Sequence, residues 1–290
     1  MGRKTAFILG LLFLGAGCVG DPSAHLDRAR QYAFQRQPAD ALLQYEEVLS
    51  LVAKKDPHRV RDLLVPALKG AGDLCYLELR MYPRAIEYYR QLANHFPDAA
   101  ETLDARAALA DLYRMHGDRR AAVAELTALV QSFPSGADVD RYRYMAVQDY
   151  FELADYDQVM IEARALQERF PDSSYAVQAQ LMVAESLALQ GQRAKSIQAY
   201  DVLLTRWPND PLAPQARVEQ AKVLYEDGKT ERAVDVLVAA LKDHPNPKAV
   251  QVEIARLRKK LAARRAPAKF EHAAAWPEFH GLEPQPHEVQ

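Results

Sequence analysis

Residues 172–208 read DSSYAVQAQLMVAESLALQGQRAKSIQAYDVLLTRWP. In the second half of this stretch Ser196, Ile197, Tyr200, Leu203 and Leu204 fall at i, i+1, i+4, i+7 and i+8, one face of an amphipathic helix. The first half carries apolar residues continuously enough for a second helix. Between them Gln190-Gly191-Gln192 is a polar break whose glycine can take a positive φ after a helix C-terminus. Trp207-Pro208 closes the unit, because proline cannot continue a helix and forces its predecessor out of the α region. One helix–turn–helix hairpin is therefore predicted over these 37 residues.

The hairpin recurs. An aromatic residue or His followed by Pro stands at Phe96-Pro97, Phe133-Pro134, Phe170-Pro171, Trp207-Pro208 and His244-Pro245, each proline 37 residues after the last. This sets copies at 61–97, 98–134, 135–171, 172–208 and 209–245, with a looser copy at about 22–57. A column of small or β-branched residues (Ala41, Ala85, Ala122, Val159, Ser196, Ala233) keeps the register, and seven residues are inserted after the first copy. Twelve positions earlier run Ala29, Asp73, Ala110, Val147, Ala184 and Ala221, and three further on Tyr32, Tyr76, Tyr113, Tyr150, Leu187 and Leu224. Gly117 and Gly228 repeat the turn glycine, and Asp98, Asp172 and Asn209 offer oxygens to cap the next helix. Alternating β-branched runs are missing, so no sheet is expected. A single hairpin cannot bury its apolar stripe, but stacked hairpins can. The predicted fold is all-α: a right-handed α-solenoid of about six repeats over 25–247. Residues 248–265 add a basic capping helix whose stripe is Val250, Ile254, Leu257 and Leu261.

The small positions, the Tyr of the first helix, the bulky residue of the second and the closing Pro together resemble the tetratricopeptide repeat. The longer period and the Phe96-Pro97-Asp98 and Phe170-Pro171-Asp172-Ser173 junctions resemble periplasmic repeat lipoproteins of the BamD and CpoB type.

The N-terminus points to the same compartment. Arg3 and Lys4 precede the apolar run Ala6 to Leu14, which is too short to span a bilayer and fits a secretory leader over 1–17. Leu14-Gly15-Ala16-Gly17-Cys18 resembles a bacterial lipobox. The resemblance implies lipidation of Cys18, a tether over 18–24 and, since Val19 rather than Asp follows, an outer-membrane address facing the periplasm.

With 37 Lys and Arg against 39 Asp and Glu, the chain lacks the basic footprint of a nucleic-acid binder. Metalloprotease, hydrolase-elbow and phosphate-loop motifs are missing. Gly70-Ala71-Gly72 is only a fragment of a nucleotide fingerprint, and Cys75 beside Tyr76 reads as core. No enzyme, cofactor, metal or small-molecule substrate is expected.

What remains is a surface. Registered on the Tyr column, Arg30, Phe34, Asp111, Arg114, Arg141, Tyr144, Gln148, Phe151, Lys222 and Tyr225 should line the concave wall made by the first helices, where aromatic and Arg side chains anchor partners. The segment 266–290 is proline-rich and should be flexible, with Trp276 and Phe279 as an apolar docking island or as a segment packing on its own solenoid. The expected function is a non-enzymatic, lipid-anchored scaffold of the outer-membrane protein assembly type. Its partner would be an envelope protein: a barrel assembly factor, a secretin or a Tol-Pal-type component. Alternatives are a pilotin-like or motility-machine lipoprotein, a factor coordinating Tol-Pal and peptidoglycan, and a non-catalytic subunit of, or an unrecognised, cell-wall enzyme.

Overall fold

The computed structural model describes residues 20–265. Cys18, Trp276 and Phe279 lie outside them, as do the predicted leader and most of the C-terminal segment. Thirteen α-helices and no strand occur among the described residues, in two compact units dividing between Leu212 and Ala213.

The first unit holds five hairpins: α1 (Pro22–Phe34) with α2 (Pro38–Val52), α3 (Arg61–Asp73) with α4 (Tyr82–His95), α5 (Ala100–Met115) with α6 (Arg119–Ser132), α7 (Val139–Glu152) with α8 (Tyr156–Arg169), and α9 (Ser174–Leu189) with α10 (Arg193–Arg206). The inserted residues after the first copy form a loop ending in a 3₁₀ turn, Pro57–Val60. In the second unit α11 (Ala213–Glu226) pairs with α12 (Thr230–Ala240), and α13 (Pro247–Arg265) packs on α12. In the first unit, each helix packs on the next, giving the expected solenoid of tetratricopeptide type.

The small-residue column is where the helices of a hairpin touch. Ala41, Ala85, Ala122, Val159, Ser196 and Ala233 are all completely buried, as are Ala29, Ala110, Val147 and Ala184 in the matching column. Ser196 shows the contact directly: its Oγ donates to the carbonyl of Ala184 at 2.7 Å. A half-buried ion pair tightens the third and fourth hairpins at equivalent positions, Arg106–Glu125 and Arg143–Glu162, each at 2.6 Å. In the fifth, Gln180 replaces the Arg and donates to the carbonyl of Ala199 at 2.8 Å.

The proline junctions share one geometry. Phe96, Phe133, Phe170 and Trp207 have φ of −135°, −127°, −132° and −129° and ψ near 60°, and each N–H bonds back to the carbonyl four residues earlier. At the fifth junction α12 already ends at Ala240, before His244-Pro245.

Inside every hairpin but the second the first helix ends in a Schellman turn. Asp118 N–H bonds to Tyr113 O at 2.9 Å and Gly117 N–H to Arg114 O at 3.1 Å, with Gly117 at φ 77°. The same position is left-handed in every copy, yet only three of the six residues are glycine; Arg36, Arg80 and Ala154 have φ of 58°, 54° and 56°. The register of the fold, not glycine, imposes the conformation. The second copy closes differently, because α3 runs into a π-helical turn, Leu74–Glu78, and Met81 N–H reaches Cys75 O instead.

One expectation needs correction. The capping oxygens come from Ser173 and Asp210 rather than Asp172 and Asn209, one residue later than expected, while Asp98 turns to Arg61 at 3.0 Å. The Gly70 and Gly72 pair makes room for rings: a Cβ on Gly70 would run into Tyr45, and one on Gly72 would lie 2.6 Å from Tyr89.

Because Ala154 is exposed and left-handed, Ala154→Gly should stabilise the protein by about 1 kcal/mol, read as a higher midpoint in urea. An unchanged or lower midpoint would show that the turn carries no strain.

Candidate functional site

The helix α7 carries the site. Arg141, Tyr144, Gln148 and Phe151 stand at i, i+3, i+7 and i+10, a stripe along one side of the helix. First helices pack on first helices at α1–α3, α3–α5 and α7–α9, so these stripes lie beside one another. Tyr144 stacks on Tyr175 of α9, with ring centroids 5.3 Å apart and planes at 22°. Burial pushes its hydroxyl up, while a hydrogen bond from Gln148 holds it back. Phe151 meets Tyr156 edge-on at 5.8 Å. The rings are thus half-buried and fixed in orientation, with one side of the stripe left to solvent.

Between α5 and α7 the link is electrostatic. Arg114 Nε lies 3.2 Å from Asp149 Oδ1, and Arg119 reaches the same oxygen at 2.7 Å. Asp149 is completely buried, and its Oδ2 has no hydrogen-bond partner among the described residues. Burial pushes its carboxyl above the usual range, and the two arginines oppose that shift. Asp111 is also pushed up by burial, opposed by Arg114 and Arg141. Arg141 itself is exposed, its guanidinium 5.9 Å from the Tyr142 ring.

The structure therefore brings together Asp111, Arg114, Arg141, Tyr144, Gln148 and Phe151 of the expected wall. Arg30 and Phe34 stand apart on α1, which packs on α2 and α3. Arg30 pairs with its own neighbour Asp27 at 3.4 Å, and Phe34 is 91% exposed. Lys222 and Tyr225 belong to the second unit. There Lys222 bonds Glu219 at 2.7 Å, and α13 lays Arg256 and Lys260 over Tyr225, 5.5 and 4.7 Å from the ring.

Asp149, Arg119, Tyr156 and Tyr175 complete the site without having been anticipated. Asp149 had a signal: three residues of its column, Cys75, Leu112 and Val223, are buried and apolar, and the other two, Gln31 and Ser186, are uncharged, so a carboxylate there stands out. Cys75 is buried, and burial pushes its thiol up to about 11, which suits a core residue. Among the described residues no group of three His, Cys, Asp or Glu side chains could hold a metal.

Known proteins agree on the fold. The tetratricopeptide repeat-like domain family matches residues 137–258, and the tetratricopeptide repeat family matches 72–99. The chain carries tetratricopeptide repeats. Among solved structures, a Naa15/Naa10 complex bound to HypK-THB is similar over 84% of this chain at 14% identity, TM-score 0.55; the match spans 34% of that chain. YrrB, described as a tetratricopeptide repeat protein with an unusual peptide-binding site, matches over 68% of this chain and 92% of its own, at 17% identity and TM-score 0.48. A tetratricopeptide repeat protein from Parabacteroides merdae matches over 86% and 94%, at 14% identity and TM-score 0.47. At such identities the likeness concerns the fold alone. No curated protein matches in sequence.

The buried carboxylate yields a prediction. Leucine is accommodated one copy earlier, at Leu112, and the two arginines freed by Asp149→Leu are each about a third exposed. Only the carboxylate is removed, its burial costs more than the two arginines return, and both arginines keep access to solvent, so the variant should be more stable than the wild type at neutral pH, read as a higher midpoint in urea. A native carboxyl held above its unfolded value favours folding below the unfolded value and loses that contribution as pH rises through the native one. The variant should lose this part of the acid-side pH dependence. A lower urea midpoint at pH 7, with the wild-type pH slope retained, would contradict both statements.

Proposed function

We propose that this chain is a non-enzymatic scaffold, held by lipid on Cys18 at the periplasmic side of the outer membrane. It binds protein partners along the first-helix face of its first unit, within an envelope-assembly complex of the outer-membrane protein assembly type. The observation that carries the binding reading is the α7 stripe. Tyr144 is stacked on Tyr175 and Phe151 is set against Tyr156, so both rings are oriented before a partner arrives. Rigid aromatic anchors lose little entropy on binding, and the exposed Arg141 adds a cation at their edge. An extended segment or a helix can lie along such a stripe.

Support for the anchor comes from the sequence: the apolar run Ala6 to Leu14 and the small residues before Cys18. Among the described residues no helix is long and apolar enough to cross a membrane.

Two experiments test these parts separately. A photo-crosslinking amino acid at position 144 or 151 should trap one envelope protein in cells, and Arg141→Glu should weaken the capture several-fold. Trapping of nothing, or only of the chain itself, would reject this face. Cys18→Ser should move the protein from the membrane to the soluble fraction, and unchanged fractionation would reject the anchor.

A further inference from the structure

A cavity of about 450 Å³ opens in the first unit between the second helices α8 and α10, with α9 as its floor. It is distinct from the α7 stripe, and comparison of the copies explains why it exists. Two periods earlier, Arg90 of α4 donates through Nε to the Tyr113 hydroxyl of α5 at 2.6 Å, its guanidinium 5.4 Å from the ring centre. Arg164 of α8 occupies the position of Arg90. The position of Tyr113 is held by Leu187 of α9. Tyrosine fills this column in the first four copies and is replaced by leucine in the fifth and sixth. An arginine thus stands at this position in the second and fourth copies, with Thr127 between them; in the fourth its phenol is missing, and both Arg164 and Leu187 line the cavity.

The lining has the chemistry of the missing group. Met160, Val183 and Leu187 offer apolar surface to a ring. Arg164 and Lys195 are exposed cations with no hydrogen-bond or ion-pair partner among the described residues, and both face the cavity. Asp157 lines it too, in a 3.4 Å contact with Gln190. A phenol can accept from Arg164 and donate to Asp157. A carboxylate would gain the cations but meet the Asp157 charge, and a plain benzene ring would leave Arg164 unpaired. We infer that this cavity receives a tyrosine side chain from an extended segment of a partner protein, which supplies in trans the ring that the earlier copies carry in cis. The volume, within the range of ordinary ligand pockets, leaves room for backbone around the ring.

The test uses the full chain and acetyl-Gly-Tyr-Gly-amide, with Phe and Glu counterparts and free p-cresol as comparisons. Binding is followed by calorimetry and by NMR shifts of the cavity residues. The Tyr peptide should bind about tenfold tighter than the Phe peptide, the size expected for a hydrogen bond to a charged donor, and tighter than the Glu peptide. Leu187→Tyr, a residue the equivalent position already accommodates in four copies, should fill the space and abolish binding. Arg164→Gln, an exposed change that leaves packing intact, should erase the preference for Tyr over Phe. No binding of the Tyr peptide at millimolar concentration would overturn the inference. So would undiminished binding to both variants, or tighter binding of the Glu peptide. Binding of p-cresol without the peptide would reassign the cavity to small phenols and overturn the peptide source.

Discussion

Everything in the fold depends on how closely the two helices of a hairpin approach. The contact is made by a residue with almost no side chain, Ala41, Ala85, Ala122 or Ala233, or by Val159 and Ser196 at the upper limit of size, and all six are completely buried. Helices that meet at small residues bring their backbones together and let the flanking Leu and Tyr interdigitate on both sides. Once that distance is set, the turn has to be short and must reverse direction at once. This is why its third residue is left-handed even where the side chain is Arg or Ala. A larger residue in either column would open the hairpin and remove the geometry that the Schellman turn and the proline junction share.

Polar interactions are added to that frame with different costs. The Arg106–Glu125 and Arg143–Glu162 pairs are largely shielded, and each leaves an arginine Nε unpartnered, so their contribution is to fix the register of first helix against second more than to add stability. Asp149 is the more costly group. Its desolvation outweighs two arginines, and one oxygen remains without a donor among the described residues. A fold that accommodates leucine in this column one copy earlier has no packing need for a carboxylate here. What Asp149 does is hold Arg114 of α5 and Arg119 of α6 beside α7.

The sequence made the period, the hairpins and the all-helical class legible because each depends on apolar and small residues that recur at constant spacing. It made the turns only partly legible. Glycine marks three of them, whereas at Arg36, Arg80 and Ala154 the demands of the flanking helices override residue preference. The caps were displaced by one residue, since a junction of fixed length lets either of two neighbouring polar residues reach the first N–H groups; Ser173 takes that role beside Asp172. The wall was legible where its residues fall on one helix, as in α7. It failed at Tyr225, because α13 lies outside the repeat pattern and no column records that its Arg256 and Lys260 fold over that ring. Asp149 was visible as a charge in an otherwise uncharged column, but its pairing with Arg114 and Arg119 needs coordinates, because both arginines come from the previous copy.

A stack whose units touch mainly their neighbours tolerates local loss, because removing one contact weakens one interface and leaves the others standing. Departures from the repeat can therefore persist where an ordinary globular core would exclude them. In the fourth and fifth copies Leu112 gives way to Asp149, Tyr150 to Leu187, Arg143 to Gln180 and Glu162 to Ala199. The first change places a charge under the α7 stripe, and the second removes a ring above the floor of the α8–α10 cavity. Each sits where the regular copies are tightly packed and internally satisfied, so each leaves unsatisfied chemistry: a carboxylate oxygen in one case and a guanidinium in the other.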